Sequence, residues 1–358
     1  MLKFYLFPIS YAFLTFPVAA LLFTLPFLII QYRRHGYVNK LRGALLYLFL
    51  LYLMNALFLV LLPLPASRHN APPDVSSYMQ WIPFNFIQDM LRETRVVLDK
   101  PSTYMHIFQE RAFLQVLFNV CLVVPFGMFL RYYLRARWIR CLIASFGLSL
   151  FFEVTQVTGI YGIYDYPYRL FDVDDLLLNT LGGLIGFITA EWLSSLLPRI
   201  DKLDDNLDLS QKRVSYTRRG IALMLDWIVL LPVLVITGDY SLPVAYVVVV
   251  IGYFIIIPYC TNGQTLGKLI VRIRIKGSGE ELMMRELAIR SGLLYVLLGG
   301  LNVCFVSTGF NSGVIEILFA VALFVVDAWF TIHLLIRLFN RDKKLFYEAK
   351  SGTTHIIS

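Results

Sequence analysis

Long apolar runs alternate with short polar ones along the whole chain. Nine of these runs approach the roughly 20 residues that a helix needs to cross a bilayer. They cover residues 10–30, 43–62, 112–130, 138–158, 174–197, 220–237, 242–260, 291–308 and 313–336. The pattern predicts an all-α polytopic integral membrane protein, with about nine transmembrane helices in two bundles. Pro17 and Pro26 predict a kink in the first helix. That first run is too long for the apolar core of a signal peptide, is preceded by Lys3 alone and ends at Arg33-Arg34, so it is expected to be retained.

Composition agrees: 58% of the 358 residues are hydrophobic and 16% charged, against about 25% charged in average soluble domains. The net charge of +8 does not point to nucleic acid, because the basic residues gather in alternate short loops. Arg33 to Arg42, Arg131 to Arg137, Arg199 to Arg219, Lys268 to Arg290 and Arg337 to Lys350 hold the clusters. A nine-span reading puts all of them on one side, so the positive-inside rule predicts an outside amino terminus and a cytoplasmic carboxy terminus. The long segment from Pro63 to Arg111 carries mixed charge and the motif Trp81-Ile82-Pro83-Phe84, and is expected to lie partly in the outer interface. Cys121, Cys141, Cys260 and Cys304 are far apart inside predicted spans, and read as packing residues rather than a metal or disulfide framework. The polar, acidic stretch 201–210 divides five spans from four. It predicts a membrane domain over 1–200, a cytoplasmic linker over 201–215 and a second membrane domain of three to four helices over 216–358.

Polar residues within spans are costly and usually functional. Helix rise places Glu153 roughly 8 Å below the outer end of the fourth span, with Gln156 one turn on along the same face. The fifth span starts at Asp172, Asp174 and Asp175, and Asn179 lies one turn below Asp175. Asn119 on the third span reaches a similar depth, so Asn119, Glu153, Gln156, Asp175 and Asn179 are expected to form one layer, with Arg169 closing over it. Simpler readings stand beside this one. Asp172 and Asp175 suit a helix cap and first turn, and Glu153 suits a structural pair with Arg169. Gly182 and Gly186, four apart below Asn179, predict close approach of a neighbouring helix. Tyr161, Tyr164, Tyr166 and Tyr168 fit an interfacial aromatic belt or a stacking surface for sugars.

The ordered elements Asn119 to Pro125-Phe126-Gly127, Glu153-Val154-Thr155-Gln156, Arg169 to Asp175 and Asn179 to Gly183 resemble the VanZ-like family over roughly the first 200 residues. That family takes its name from a protein associated with low-level resistance to teicoplanin, a glycopeptide that acts outside the cell. The resemblance implies a Gram-positive cell-envelope protein whose outer polar layer (Asn119, Glu153, Gln156, Arg169, Asp172, Asp175, Asn179) binds or acts on an outer-leaflet lipid, a lipid-linked wall precursor or a glycopeptide. Carboxylates there could hold a cation over a lipid-linked phosphate, which leaves an intramembrane enzyme open. No catalytic residue, metal ligand or resident cofactor is assigned, and membrane lipids are the expected surroundings.

In the second half, Asp226 lies about 10 Å into its span by helix rise, and Asp327 falls at similar or greater depth in the last. With Arg219 they read as an ion path, or Asp226 reads as half of a packing salt bridge to Arg219 or Arg290. The loop from Thr261 to Lys268 is a glycine-rich turn and not a phosphate loop, because three residues rather than four separate its glycines and Leu269 follows Lys268. Residues 270–276 alternate with period two, as a short strand or interfacial segment would. Arg219, Ala222 and Asp226, the Thr-Asn-Gly-Gln-Thr-Leu-Gly-Lys loop, Arg285-Glu286-Leu287 and the block from Glu348 to Thr353 resemble the RDD family. The chain has Tyr347-Glu348 where that family usually has His-Asp. Some RDD proteins are linked to cation/proton exchange, so this resemblance implies a transporter as the alternative function.

Overall fold

The computed structural model describes residues 2–72, 77–96, 99–203, 213–308, 313–339 and 344–358. Among them, nine helices are long and apolar enough to cross a membrane: Leu6–His35, Lys40–Leu61, Arg111–Tyr132, Trp138–Val157, Val173–Leu193, Tyr216–Ile236, Ser241–Cys260, Met284–Ser307 and Val314–Arg337. The protein is therefore an all-α polytopic membrane protein. Hydrocarbon offers no partner to backbone polar groups, so each crossing closes its own hydrogen bonds as a helix.

The chain divides into two compact units, Met1–Phe23 with Asn39–Asn206, and Thr24–Val38 with Leu207–Ser358. Helix α1 (Leu2–His35) contributes to both and runs on through Pro17 and Pro26. Its last turns belong to the second unit, where Leu25, Leu28, Ile29 and Tyr32 pack with Val214, Ile221, Ala222, Val271 and Ile273. The sequence division at residue 200 did not separate this piece. Most of the expected linker, residues 204–212, lies outside the described residues.

In the first unit, α2 (Lys40–Leu61) starts at Asn39, whose side chain accepts from the Leu41 and Arg42 amides. After it come the short strand β1 (Met79–Gln80), the amphipathic α3 (Asn85–Glu93) and a 3-10 helix (Pro101–Gln109). The spans α4 (Arg111–Tyr132), α5 (Trp138–Val157) and α7 (Val173–Leu193) follow, with the single turn α6 (Gly159–Gly162) and strand β2 (Phe171–Asp172) before α7. Strands β1 and β2 pair in parallel, Met79 opposite Phe171 and Gln80 opposite Asp172. Helices α4 and α7 form the closest pair, and glycine makes it so. A Cβ at Gly182 would lie 2.1 Å from the Val120 carbonyl oxygen, and one at Gly186 2.0 Å from that of Val124. Ala56, Val60 and Phe152 form the core where α2 joins α5.

In the second unit, α8 (Tyr216–Ile251) is broken at Ser241 into two crossings. The second crossing continues through a π-helical turn (Gly252–Ile256) into α9 (Ile257–Cys260). A loop holding α10 (Leu266–Ile270) and β3 (Ile273–Lys276) leads to α11 (Met284–Ser291), a second π-helical stretch (Gly292–Gly299), α12 (Gly300–Thr308) and α13 (Val314–Phe339). The chain closes with α14 (Phe346–Ser351) and β4 (Thr354–Ile357), which pairs antiparallel with β3, Ile275 facing His355. Of the alternating segment 270–276, Ile273–Lys276 forms a strand paired with the carboxy-terminal β4, while Ile270 ends α10.

Candidate functional site

Residues 81–93 fold back over the ends of α4 and α7. Asp174, in the first turn of α7, accepts from the backbone amides of Phe84 (2.6 Å) and Phe86 (2.9 Å), and so holds the start of α3. The other end is tied by two exchanged carboxylates. Glu93 accepts from the Ala112 amide at the head of α4 (3.1 Å), and Glu110 from the Arg95 amide (2.7 Å). Asn85, Asp89 and Glu93, four residues apart, share one face of α3 and line a cavity of about 240 Å³ with Arg111, Gln115, Asp172, Asp174 and Asp175. Ile87 and Leu91 on the opposite face are exposed, as an interfacial helix requires.

Five carboxylates and one guanidinium face this cavity. Burial pushes the Asp172 carboxyl above its ordinary range, and the Asp174 and Asp89 charges add to that rise against the opposing Asp174 N–H bond. Such a pocket favours a cationic guest, which relieves repulsion between its walls. Among the described residues, no group of three or more His, Cys, Asp or Glu side chains converges as a metal site would.

Of the residues expected in the polar layer, Asn119 and Asp175 meet directly, amide to carboxylate. Asp172 caps α7 by accepting from the Asp174 amide (2.8 Å), and its own amide donates to the buried Glu153 (2.9 Å). Asn179 donates to Ser149 (2.9 Å), whose hydroxyl donates to the Asp175 carbonyl (3.3 Å). Two residues point elsewhere. Gln156 donates to the Val60 carbonyl (2.8 Å) and Arg169 to the Leu62 carbonyl (3.3 Å), so both fasten the end of α2. The Glu153–Arg169 ion pair of the simpler reading is not formed among the described residues. The Asp172 backbone satisfies Glu153 instead, although Arg169 remains close enough for its charge to act on Glu153 and Asp175.

Sequence reasoning did not place Asp89, Glu93, Asp174 or Ser149 in this site. The spacing of Asn85, Asp89 and Glu93 against Ile87 and Leu91 carried a usable signal. The role of Asp174 did not, because its partners are backbone amides some ninety positions away. Asp174→Ala is expected to free the start of α3 at a cost of about 1 kcal/mol, as loss of a capping carboxylate does. Hydrogen exchange at the Phe84 and Phe86 amides should accelerate while α5 stays protected; unchanged exchange would show that Asp174 does not hold α3.

In the second unit the salt bridge from Asp226 to Arg219 or Arg290 is absent. Asp226, almost fully buried, accepts from Tyr253 Oη (2.8 Å), Thr265 Oγ1 (2.7 Å) and the Gly267 amide (2.7 Å). It therefore pins the glycine-rich turn to α8. Arg219 (3.0 Å) and Arg290 (3.4 Å) both go to Glu348, which His355 also reaches at 3.1 Å. The Tyr347 ring lies under the Arg290 guanidinium, 5.0 Å from its centroid, and packs where the resemblance expected an imidazole. Asp327 accepts from Asn302 (3.2 Å) on α12. Among the described residues no bond joins it to Asp226 or Arg219, so the three residues of the expected ion path have separate partners. Lys268 is buried beside Phe254; burial, aided by Arg290 and opposed by Asp226, lowers its ammonium pKa to about 8.

Residues 49–194 match the family model described as VanZ/LLP1, and residues 213–347 match that of the RDD family. No curated protein and no solved structure matched in the same comparisons.

Proposed function

From a chain that joins a VanZ/LLP1 domain to an RDD-family domain, we propose a cell-envelope protein that lowers susceptibility to teicoplanin-type glycopeptides and lipoglycopeptides in Gram-positive bacteria. Its working site is the acidic cavity beneath α3, turned to the outer face of the membrane, with the carboxy terminus in the cytoplasm. The observation that supports this reading is the excess of carboxylates around that cavity, at the level where α3 carries an exposed apolar ridge. A ligand with an amine and a hydrophobic anchor, whether an outer-leaflet lipid, a wall precursor or the drug, suits both features. Asp175 and Asp89 receive the amine, Asn119 orients Asp175, Glu153 and Asn179 hold the start of α7 through Asp172 and Ser149, and Gln156 and Arg169 fasten the end of α2 beside them. The rival reading, cation/proton transport through Asp226, has less support, because three donors already satisfy that carboxylate.

Binding of labelled teicoplanin to the full chain in lipid nanodiscs tests this reading. Asp89→Asn with Asp175→Asn is expected to weaken binding about tenfold, the equivalent of about 1.4 kcal/mol, and added salt should weaken it further. Asp226→Asn should leave binding unchanged in folded protein. Equal affinity in wild type and double variant would reject the cavity as the site.

A further inference from the structure

The second unit contains a groove that neither the acidic cavity nor the buried charges account for. It has a volume of about 610 Å³ and lies between the crossing that starts at Ser241 and the α11–α12 crossing. Its lining runs from Ile255 and Ala288 at the basic-loop end to Pro243 and Cys304 at the other. The facing wall runs twelve residues from Pro243 to Ile255, roughly 18 Å at α-helical rise, so the groove is long enough for most of an extended hydrocarbon tail. The one hydroxyl on its wall, that of Tyr246, is already donated to the Tyr295 carbonyl (2.9 Å). No charged side chain lines it.

Two observations set this groove apart from an ordinary lipid-facing seam. Both of its walls pass through π-helical turns, Gly252–Ile256 and Gly292–Gly299, and such turns concentrate at functional sites. Gly292 lines the groove with ordinary helical geometry, and a Cβ there would meet nothing within 4 Å. Gly292 and Gly300 thus leave the groove wall open at two places along its length. The charge pattern identifies the guest. Arg285 stands one turn before Ala288 on the same face of α11, at the end of the groove. It is exposed, and no side-chain partner is recorded for it among the described residues. Arg274 and Lys276 stand on β3, and Arg272 directly before it; Glu280 and Glu281 lie between β3 and α11, which leaves Arg285 as the cation next to the groove end.

We propose that this groove binds one anionic phospholipid, with a tail along Gly292 and Gly300 and the headgroup phosphate on Arg285. A guanidinium–phosphate contact at the groove end selects anionic over zwitterionic headgroups, while the apolar wall supplies affinity that does not depend on the headgroup.

Native mass spectrometry of the full chain, delipidated in detergent and titrated with phosphatidylglycerol or phosphatidylcholine, tests this proposal. Wild type should retain a single phosphatidylglycerol, bound about tenfold more tightly than phosphatidylcholine. Arg285→Gln should remove that preference, and Lys350→Gln on α14 should not. Gly292→Leu should abolish retention of both lipids. Gly300→Val fills the same groove about two turns further on, so it replaces Gly292→Leu if the latter does not elute as folded protein. Equal retention of both lipids by wild type, or unchanged phosphatidylglycerol retention in a folded groove-filling variant, would overturn the site and leave only annular lipid.

Discussion

Replacing Glu348 with Ala is expected to cost the second unit about 3–5 kcal/mol, the range for removing one partner of a buried charge cluster. The Glu348 side chain is 4% exposed and accepts from Arg219, Arg290 and His355. Truncation leaves the Arg290 guanidinium, 6% exposed, with Thr353, the neutral face of His355 and the Tyr347 ring but no counter-charge among these contacts. The closure of β4 on β3 depends on the same cluster, because His355 is a strand residue and Thr353 precedes the strand. Thermal melting in detergent should show a large fall in the midpoint for Glu348→Ala and a smaller one for Glu348→Gln, which keeps a hydrogen-bonding group of the same size. A melt unchanged by Glu348→Ala would mean that the cluster does not hold the carboxy terminus.

The cluster also sets a pH dependence. Burial alone would raise the Glu348 carboxyl, but the His355 bond and the Arg290 and Arg219 charges outweigh it and hold the group well below the usual carboxylate range. A depressed carboxylate stabilises fully above its unfolded value near 4.3 and loses that contribution as pH falls below it. Burial and the neighbouring Arg290 also keep the His355 imidazole neutral far below its ordinary value. The unfolded chain therefore takes up that proton first, and stability starts to fall below about pH 6.5. Both effects have the same sign, so the second unit should be more stable at pH 7.5 than at pH 4. Glu348→Gln should remove the steeper, more acidic part of the decline.

Gly186→Leu should be among the most damaging single changes in the first unit. The Cβ alone would sit 2.0 Å from a backbone oxygen of α4, which cannot rotate away as a side chain would. Overpacking of this kind costs typically about 1–3 kcal/mol, and here it would also pull Asp175 from Asn119, because α4 and α7 carry both. The expected result is a melting midpoint lowered by several degrees and little monodisperse protein. Gly147→Leu on α5, where a Cβ would meet nothing within 4 Å, should behave as wild type. Equal behaviour of the two variants would mean that the glycine face does not set the α4–α7 distance.

The crossings were legible because the bilayer imposes one solution, continuous helix, on any apolar run of sufficient length. The close approach at Gly182 and Gly186 followed from spacing alone. The partners of the polar residues were less legible. Asp226 read either as part of an ion path or as half of a salt bridge to Arg219 or Arg290, yet both arginines go to Glu348 near the chain end. The donors to Asp226 are two hydroxyls and an amide, whose convergence depends on the path of the loop. Gln156 read as a site residue by depth and Arg169 as a loop residue closing over the layer, but their bonds go to carbonyls at the end of α2, where the helix leaves backbone acceptors unpaired. Depth along a helix can be read from a sequence; the direction in which a long side chain finds its acceptor depends on the packed neighbours.

The most direct test is teicoplanin susceptibility in a Gram-positive strain deleted for this gene, complemented with wild type or with Asp89→Asn plus Asp175→Asn at matched membrane levels. The account predicts that wild type restores resistance several-fold and that the double variant stays as sensitive as the deletion strain. Full restoration by the double variant, or no change on deletion, would contradict the acidic cavity as the source of resistance.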